Sequence, residues 1–287
     1  KYVKTLNILI KSHKNFTQLN SLAIVGTFFS LWLAIFFNEG VENNLAYFLI
    51  LTFGMLHGAN DLKLIQHAQE EVQGKFHFYK VLAAYVLVIL LVFVFFYFLP
   101  ALAFIVFLLV SGYHFGEQHW VSKLKVVSIW SKPFFCAYGL FVLFLLFYFH
   151  SDKVIQVVYK LTEVTTTSND YYFVTLITGL LTVLFYIILK MRKELEINVV
   201  KELFFLVIFT VVFHTASLLW SFAIYFILWH SLPSIADQIT FLHGTLDKES
   251  ILKYLKSSFL YWIVAAASSA LLLYIFKDDM EVALSFF

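Results

Sequence analysis

The chain has 287 residues, of which 61% are hydrophobic and only 13% are charged, and its mean hydropathy is +0.85. This composition excludes an ordinary soluble domain, in which about half of the residues are apolar. The formal net charge of +2 gives no indication of nucleic-acid binding, and the single cysteine, Cys136, excludes an intrachain disulfide.

Uninterrupted apolar runs close to the length that crosses a bilayer predict helices rather than the short alternating strands of a barrel. The predicted fold is therefore all-α, a polytopic transmembrane helical bundle that forms one integral-membrane domain over residues 1–287. Its nine predicted spans lie near residues 19–38, 45–62, 79–99, 101–121, 129–149, 171–190, 197–213, 216–231 and 252–276.

The seventh and eighth spans come from one continuous apolar stretch, which we divide at residues 214–217. The distribution of Lys and Arg supports this division, because cytoplasmic loops of membrane proteins carry an excess of both. With the N-terminus in the cytoplasm, 17 of the 20 basic side chains lie in inner segments. Merging the two spans would move the last three of these lysines to the outer side.

Three histidines share one predicted depth in the membrane. The second, fourth and eighth spans all run inward, and His57, His114 and His230 lie near their inner ends. Ionisable side chains at membrane depth are costly and usually functional. Neutral imidazole is the commonest metal ligand, so the three predict a site for Zn, Cu, Fe or Ni. The alternative is that each is an ordinary interfacial or hydrogen-bonded histidine.

Two carboxylates follow these histidines at helical spacing. Asp61 lies four residues after His57, and Glu117 lies three after His114, so each is on the same helical face as its histidine. Each is expected to orient the imidazole by accepting its second N–H. The alternative is an interfacial carboxylate that faces water or pairs with a lysine. Gly54 and Gly58 also form a small-xxx-small pair that lets a neighbouring helix approach.

Three motifs resemble the Brp/Blh family of membrane-bound carotenoid cleavage enzymes. The resemblance implies an iron(II)-dependent β-carotene 15,15′-dioxygenase that uses O₂ to make two molecules of retinal. It also implies that His57, His114 and His230 ligate the iron. The motifs are His57-Gly58-Ala59-Asn60-Asp61, Tyr113-His114-Phe115-Gly116-Glu117 and Tyr225-Phe226-Ile227-Leu228-Trp229-His230-Ser231.

The same resemblance implies a setting for the reaction. It implies a bacterial inner-membrane protein that takes β-carotene from the lipid bilayer and is functionally linked to a microbial rhodopsin, whose chromophore is retinal. Tyr113, Trp120 and Trp229 are candidate substrate contacts, while the other residues of the substrate site stay unassigned.

The sequence departs from the family pattern where many members have a second histidine after the one matching His230, because this position is Ser234. We expect the fourth ligand from a tenth span that begins near Met280 and continues beyond Phe287. His119 is the fallback, although five helical steps place it about 140° from His114 around a helix.

The leading alternative function is a non-catalytic carrier of carotenoid or retinal, or a rhodopsin assembly factor. A transporter is the third hypothesis, and it has less support because the intramembrane ionisable residues form no relay. Iron content separates these hypotheses, since a carrier does not need stoichiometric iron.

Overall fold

The computed structural model describes residues 13–73 and 77–275. Within these ranges the regular structure is helical, with one isolated bridge between Leu124 and Leu195, so the predicted all-α class is confirmed. The tenth span predicted near Met280 lies outside the described residues. In chain order the helices are α1 (His13–Phe36), α2 (Glu39–Leu49), α3 (Met55–Gly58), α4 (Asp61–Gln73), α5 (Phe78–Phe98), α6 (Pro100–Trp120), α7 (Ser131–Phe149), α8 (Ser151–Thr162), α9 (Ser168–Met191), α10 (Val199–Thr215), α11 (Leu218–Ile224), α12 (Leu232–His243) and α13 (Lys248–Ile275).

Seven helical segments of the described chain are long and apolar enough to cross a membrane, which is compatible with an integral membrane protein. The predicted count of nine spans is not confirmed. The other two predicted spans correspond to α10, which has 17 residues, and to α13; both are helical but are not among the seven. The seven segments are Leu19–Phe36, Glu39–Glu70, Phe78–Phe98, Pro100–Lys123, Ser131–Phe149, Ser168–Met191 and Leu218–His243.

The predicted break between α10 and α11 is confirmed. Ala216 has an extended backbone, and the Ser217 side chain caps α11 by accepting a hydrogen bond from Trp220 N. The backbone N–H of Ser217 donates to Glu42 Oε2 over 2.8 Å, which explains why this carboxylate is buried. An acidic side chain from α2 therefore satisfies the backbone at the break.

Contacts group the chain into two compact units. The first, here called the terminal unit, comprises Lys1–Gly26, Tyr47–Phe98 and Phe226–Phe287, as far as the structure describes them. The second, the central unit, comprises Thr27–Ala46 and Leu99–Tyr225. The single domain predicted from the sequence stays a prediction.

In the central unit, α6 and α7 pack at backbone distance. A Cβ added at Gly139 would lie 1.8 Å from Gly112 O, and one added at Gly116 would lie 1.9 Å from Phe135 O. Neither position has room for a side chain, because backbone atoms cannot rotate away. Gly112 and Gly116 are four residues apart, flank His114 and form one small-xxx-small pair. This pair was not predicted from the sequence.

In the terminal unit, the predicted glycine pair is only half correct. A Cβ at Gly54 would lie 2.7 Å from Phe226 Cε1, so this glycine does allow a close approach. Gly58 has no atom within 4 Å of its added Cβ. The contact at Gly54 brings the chain segment before His57 against the segment before His230.

Candidate metal centre

Two of the three histidines lie in or next to π-helical turns. One π-turn, Ile50–Gly54, comes immediately before the short helix that holds His57. The other, Tyr225–Ser231, contains His230 itself. Such wider turns are rare and occur frequently at functional sites, since they change the direction of the side chains that follow.

His57 and His230 meet within the terminal unit. Their ring centroids are 5.4 Å apart, and the ring planes are nearly perpendicular at 85°. Phe226 contacts both rings, stacking on His230 and meeting His57 edge-on. His230 is only 1% exposed, so packing restricts the orientation of this imidazole.

A backbone carbonyl selects the ring nitrogen with which His57 can bind a metal. Nδ1 of His57 is hydrogen-bonded to Gly54 O. Because a carbonyl oxygen can only accept, Nδ1 carries the proton and Nε2 keeps the lone pair that a metal needs. The described hydrogen-bond partner of His57 Nδ1 is thus the Gly54 carbonyl, and the support of His57 by Asp61 stays a prediction. Asp61 does not share a regular helix with His57, because the chain breaks between α3 and α4.

Glu117, the other predicted supporting carboxylate, accepts a hydrogen bond from Tyr113 Oη over 2.9 Å. Both residues belong to α6, where they are four positions apart and so lie on one face. The support of His114 by Glu117 stays a prediction.

His57, His114 and His230, here called the three-histidine group, are a donor set that could hold a metal ion. His57 and His230 belong to the terminal unit, and His114, on α6, belongs to the central unit. Neutral imidazole is a ligand that suits Zn, Cu, Fe and Ni, so the donor set is chemically compatible with a metal site. The binding of one ion by all three stays a prediction.

His119, the fallback ligand, belongs to a different polar cluster. Its Nε2 lies 2.9 Å from Glu202 Oε2, and its ring stacks on Tyr138. Lys123 Nζ donates to the same carboxylate oxygen over 2.8 Å. His119 is therefore not a member of the three-histidine group. The Ser234 hydroxyl oxygen accepts a hydrogen bond from Gln238 Nε2 over 3.4 Å.

The predicted substrate contacts have different surroundings. Trp120 is buried beneath Lys123, whose Nζ lies 4.7 Å from its ring centroid, and it lines a cavity of about 120 Å³. Trp229 is also buried. The Tyr113 hydroxyl donates a hydrogen bond to Glu117. A larger apolar cavity of about 220 Å³ lies elsewhere in the central unit. The substrate contacts themselves stay predictions.

These observations define the class as a helical protein with membrane-length apolar segments and three histidines that are compatible with a metal site. Residues 48–287 match the family described as beta-carotene 15,15′-dioxygenase. The chain belongs to this family, and the resemblance noted from its motifs is confirmed. Comparison with curated proteins and with solved structures gave no significant match.

Several residues that shape the site were not among those predicted from the sequence. Phe226 could have been noticed, because it lies four residues before His230 and so on the same side of a helix. The Gly54 carbonyl gives no signal, since every residue carries one. The π-turns give none either, because a periodicity of 3.6 residues is assumed when helices are read from a sequence.

Proposed function

We propose that this protein splits the central 15,15′ double bond of β-carotene with O₂ and releases two molecules of retinal. Both bonds between the two carbons break, and each carbon receives one oxygen atom. The family match carries this proposal, because it covers residues 48–287 and includes all three histidines of the group.

We infer that His57, His114 and His230 hold iron(II), which would supply the activation of O₂. Three neutral imidazoles suit this ion and leave positions free for other ligands. The hydrogen bond between His57 and Gly54 restricts the orientation of the His57 ring. Packing of Phe226 against the rings of His57 and His230 restricts both imidazoles. Apolar and aromatic neighbours would also exclude water from the polyene.

The test is a comparison of iron content and retinal formation in purified protein. The wild type and the variants His57→Gln, His114→Gln and His230→Gln are loaded with iron(II) without oxygen, desalted, and given β-carotene and O₂ in detergent. We expect about one iron per chain in the wild type and loss of both iron and retinal in the variants. His214→Gln is the matched control, since His214 is exposed and lies outside the group.

Two outcomes contradict the proposal. Full iron content in the three variants would exclude these histidines as ligands. Stoichiometric binding of carotenoid without iron and without cleavage would favour the carrier hypothesis. Labelled O₂ separately tests whether both oxygen atoms enter the aldehyde products.

We also infer that the N-terminus lies in the cytoplasm of a bacterial cell and that β-carotene enters from the bilayer. The basic side chains, of which 17 of 20 would lie inside, support this orientation. The test uses Thr165→Cys and Lys248→Cys, each in a Cys136→Ala background, with an impermeant thiol reagent on intact cells. Labelling at position 165 alone agrees with the proposed orientation, and labelling at position 248 alone contradicts it.

A further inference from the structure

The irregular segment 50–60, which contains a π-turn and a helix break, receives hydrogen bonds from side chains of other helices in the terminal unit. Trp262 Nε1 donates to Thr52 O over 3.1 Å. Gln238 Nε2 donates to His57 O over 2.8 Å. Buried backbone carbonyls need such partners wherever the regular helical ladder is disturbed.

Trp262 lies on one face of α13 together with two residues that carry hydroxyl groups. Tyr254, Ser258 and Trp262 are spaced by four residues, so they form a stripe along the helix. Tyr254 Oη is 3.3 Å from Leu56 O, and Ser258 is hydrogen-bonded to the side chain of Asn60. These two contacts and the one from Trp262 connect α13 with both ends of the segment that contains His57.

Tyr254, Ser258 and Asn60 are completely buried, each with 0% exposure. Buried polar side chains destabilise a protein unless their hydrogen bonds are made, and complete networks specify one arrangement of the backbone. Here the hydroxyl of Ser257 also reaches Asn60, over 3.1 Å to Oδ1. The network is therefore suited to fix the turn that follows His57.

Gln238 connects this network with the helix that continues from His230. It belongs to α12, which begins directly after the π-turn that contains His230. Its Oε1 accepts from Tyr254 Oη over 2.6 Å, while its Nε2 donates to the carbonyl of His57. One side chain thus ties the backbone of the first histidine to the element that carries the third.

We propose that Gln238, Tyr254, Ser258 and Trp262 form a clamp that holds the backbone of His57 and so sets the position of its imidazole relative to His230. These are positioning residues, since they act through the segment 50–60 that carries His57. The functional consequence of the clamp rests on the proposed function, in which His57 ligates a metal. The proposal that the clamp holds this backbone segment does not depend on the proposed function.

The test uses two variants that remove a donor. Gln238→Met removes the donor to His57 with little change of volume, and Trp262→Phe removes the indole N–H while leaving an aromatic ring beside Phe259. Gln156→Met, at an exposed position of α8, is the matched control. Hydrogen exchange of the metal-free protein in detergent is compared with the affinity for Co(II), used as a spectroscopic probe.

For both clamp variants we expect peptides covering residues 50–61 to exchange about tenfold faster than in the control, because local opening becomes easier. We also expect about tenfold weaker Co(II) binding, comparable to the loss of an outer partner of a metal ligand. The thermal midpoint and the exchange of other peptides should stay those of the wild type.

Each other outcome overturns a stated part of the inference. Unchanged exchange over residues 50–61 would exclude the clamp, whatever the metal result. Faster exchange over the whole protein would show a general structural role only. Faster local exchange with unchanged Co(II) affinity would exclude an effect on the metal site. A wild type that binds no Co(II) or iron would contradict the proposed function, while the exchange result would still decide the clamp.

Discussion

His119 Nε2 lies 2.9 Å from Glu202 Oε2, so the second histidine of α6 is engaged with an acidic side chain of α10. Lys123 binds the same carboxylate oxygen over 2.8 Å, and Tyr138 Oη lies 3.3 Å from the histidine nitrogen. The side chains of His119 and Glu202 are about nine-tenths buried. This cluster holds the end of α6 against α7 and α10 in the central unit.

Replacing Glu202 by alanine is expected to destabilise the protein strongly, because it removes the carboxylate oxygen that lies 2.8 Å from Lys123 Nζ and 2.9 Å from His119 Nε2. Removing one partner of a buried ion pair costs about 3–5 kcal/mol, and the partial exposure of Lys123 places the expected loss at the lower end. The measurement is equilibrium unfolding in mixed detergent micelles. Glu196→Ala is the control, since that carboxylate is 76% exposed and its pair with Lys125 contributes less than about 1 kcal/mol. Equal losses in both variants would contradict the prediction.

His119→Gln is expected to keep the full metal content, whereas His114→Gln loses it. The physical reason is that the His119 ring faces Glu202 and is not one of the three grouped imidazoles. Iron or Co(II) analysis of the two purified variants is sufficient to check this. Loss of metal from the His119 variant, with an intact fold by circular dichroism, would make His119 a ligand after all.

The sequence predicted the features that depend on composition and regular periodicity. The helical class, the break near Ala216 and the meeting of His57 with His230 follow from apolar runs and from counting spans. The feature that it could not predict, the role of Gly54, depends on irregular backbone. The predicted support of His57 by Asp61 was based on an unbroken helix, and the chain instead makes a turn at residues 59–60, so this role stays a prediction.

The glycine pairs illustrate the same limit. Spacing by four residues is shared by Gly54 and Gly58 and by Gly112 and Gly116, so a sequence pattern alone does not tell which pair packs against backbone. The packing is decided by the atoms that lie opposite each glycine, and these atoms belong to residues that are distant in the chain. For Gly112 the opposite element is α7, which approaches at Gly139.

Gly139→Ala is expected to disrupt the packing of α6 against α7, since the new methyl group would lie 1.8 Å from Gly112 O. Overpacking usually costs about 1–3 kcal/mol, and this case should reach the upper end or exceed it because the opposing atoms are backbone. Unfolding in mixed micelles measures the loss. Gly58→Ala has no atom within 4 Å of the added carbon and should change stability by about 1 kcal/mol or less. A similar small effect at both positions would show that α6 and α7 are less close than described.

Glu194 connects the chain segment that follows α6 with the segment that follows α9. Its carboxylate accepts hydrogen bonds from Ser128 Oγ and from Arg192 Nε, each over 2.7 Å. Lys125 N also donates to the Glu194 backbone carbonyl, next to the bridge between Leu124 and Leu195. A single side chain therefore contributes to the connection of both segments.

The pKa of Glu194 is lower in the folded protein than its usual value of 4.5. Burial of the carboxylate opposes this change by raising the pKa, but the bonds from Ser128 and Arg192 outweigh it. Because the unfolded chain binds the proton more readily, the ionised carboxylate stabilises the fold above about pH 4.5, and this stabilisation is lost as the pH falls through the folded pKa.

Glu194→Gln should therefore be less stable than the wild type near neutral pH, and the difference should shrink as the pH is lowered below about 4.5. The thermal midpoint in detergent, measured for both proteins over this pH range, tests the prediction. Glu196→Gln is the matched control, because Glu196 is two residues away and largely exposed. A difference between wild type and Glu194→Gln that stays constant with pH would mean that the ionised carboxylate does not stabilise this connection.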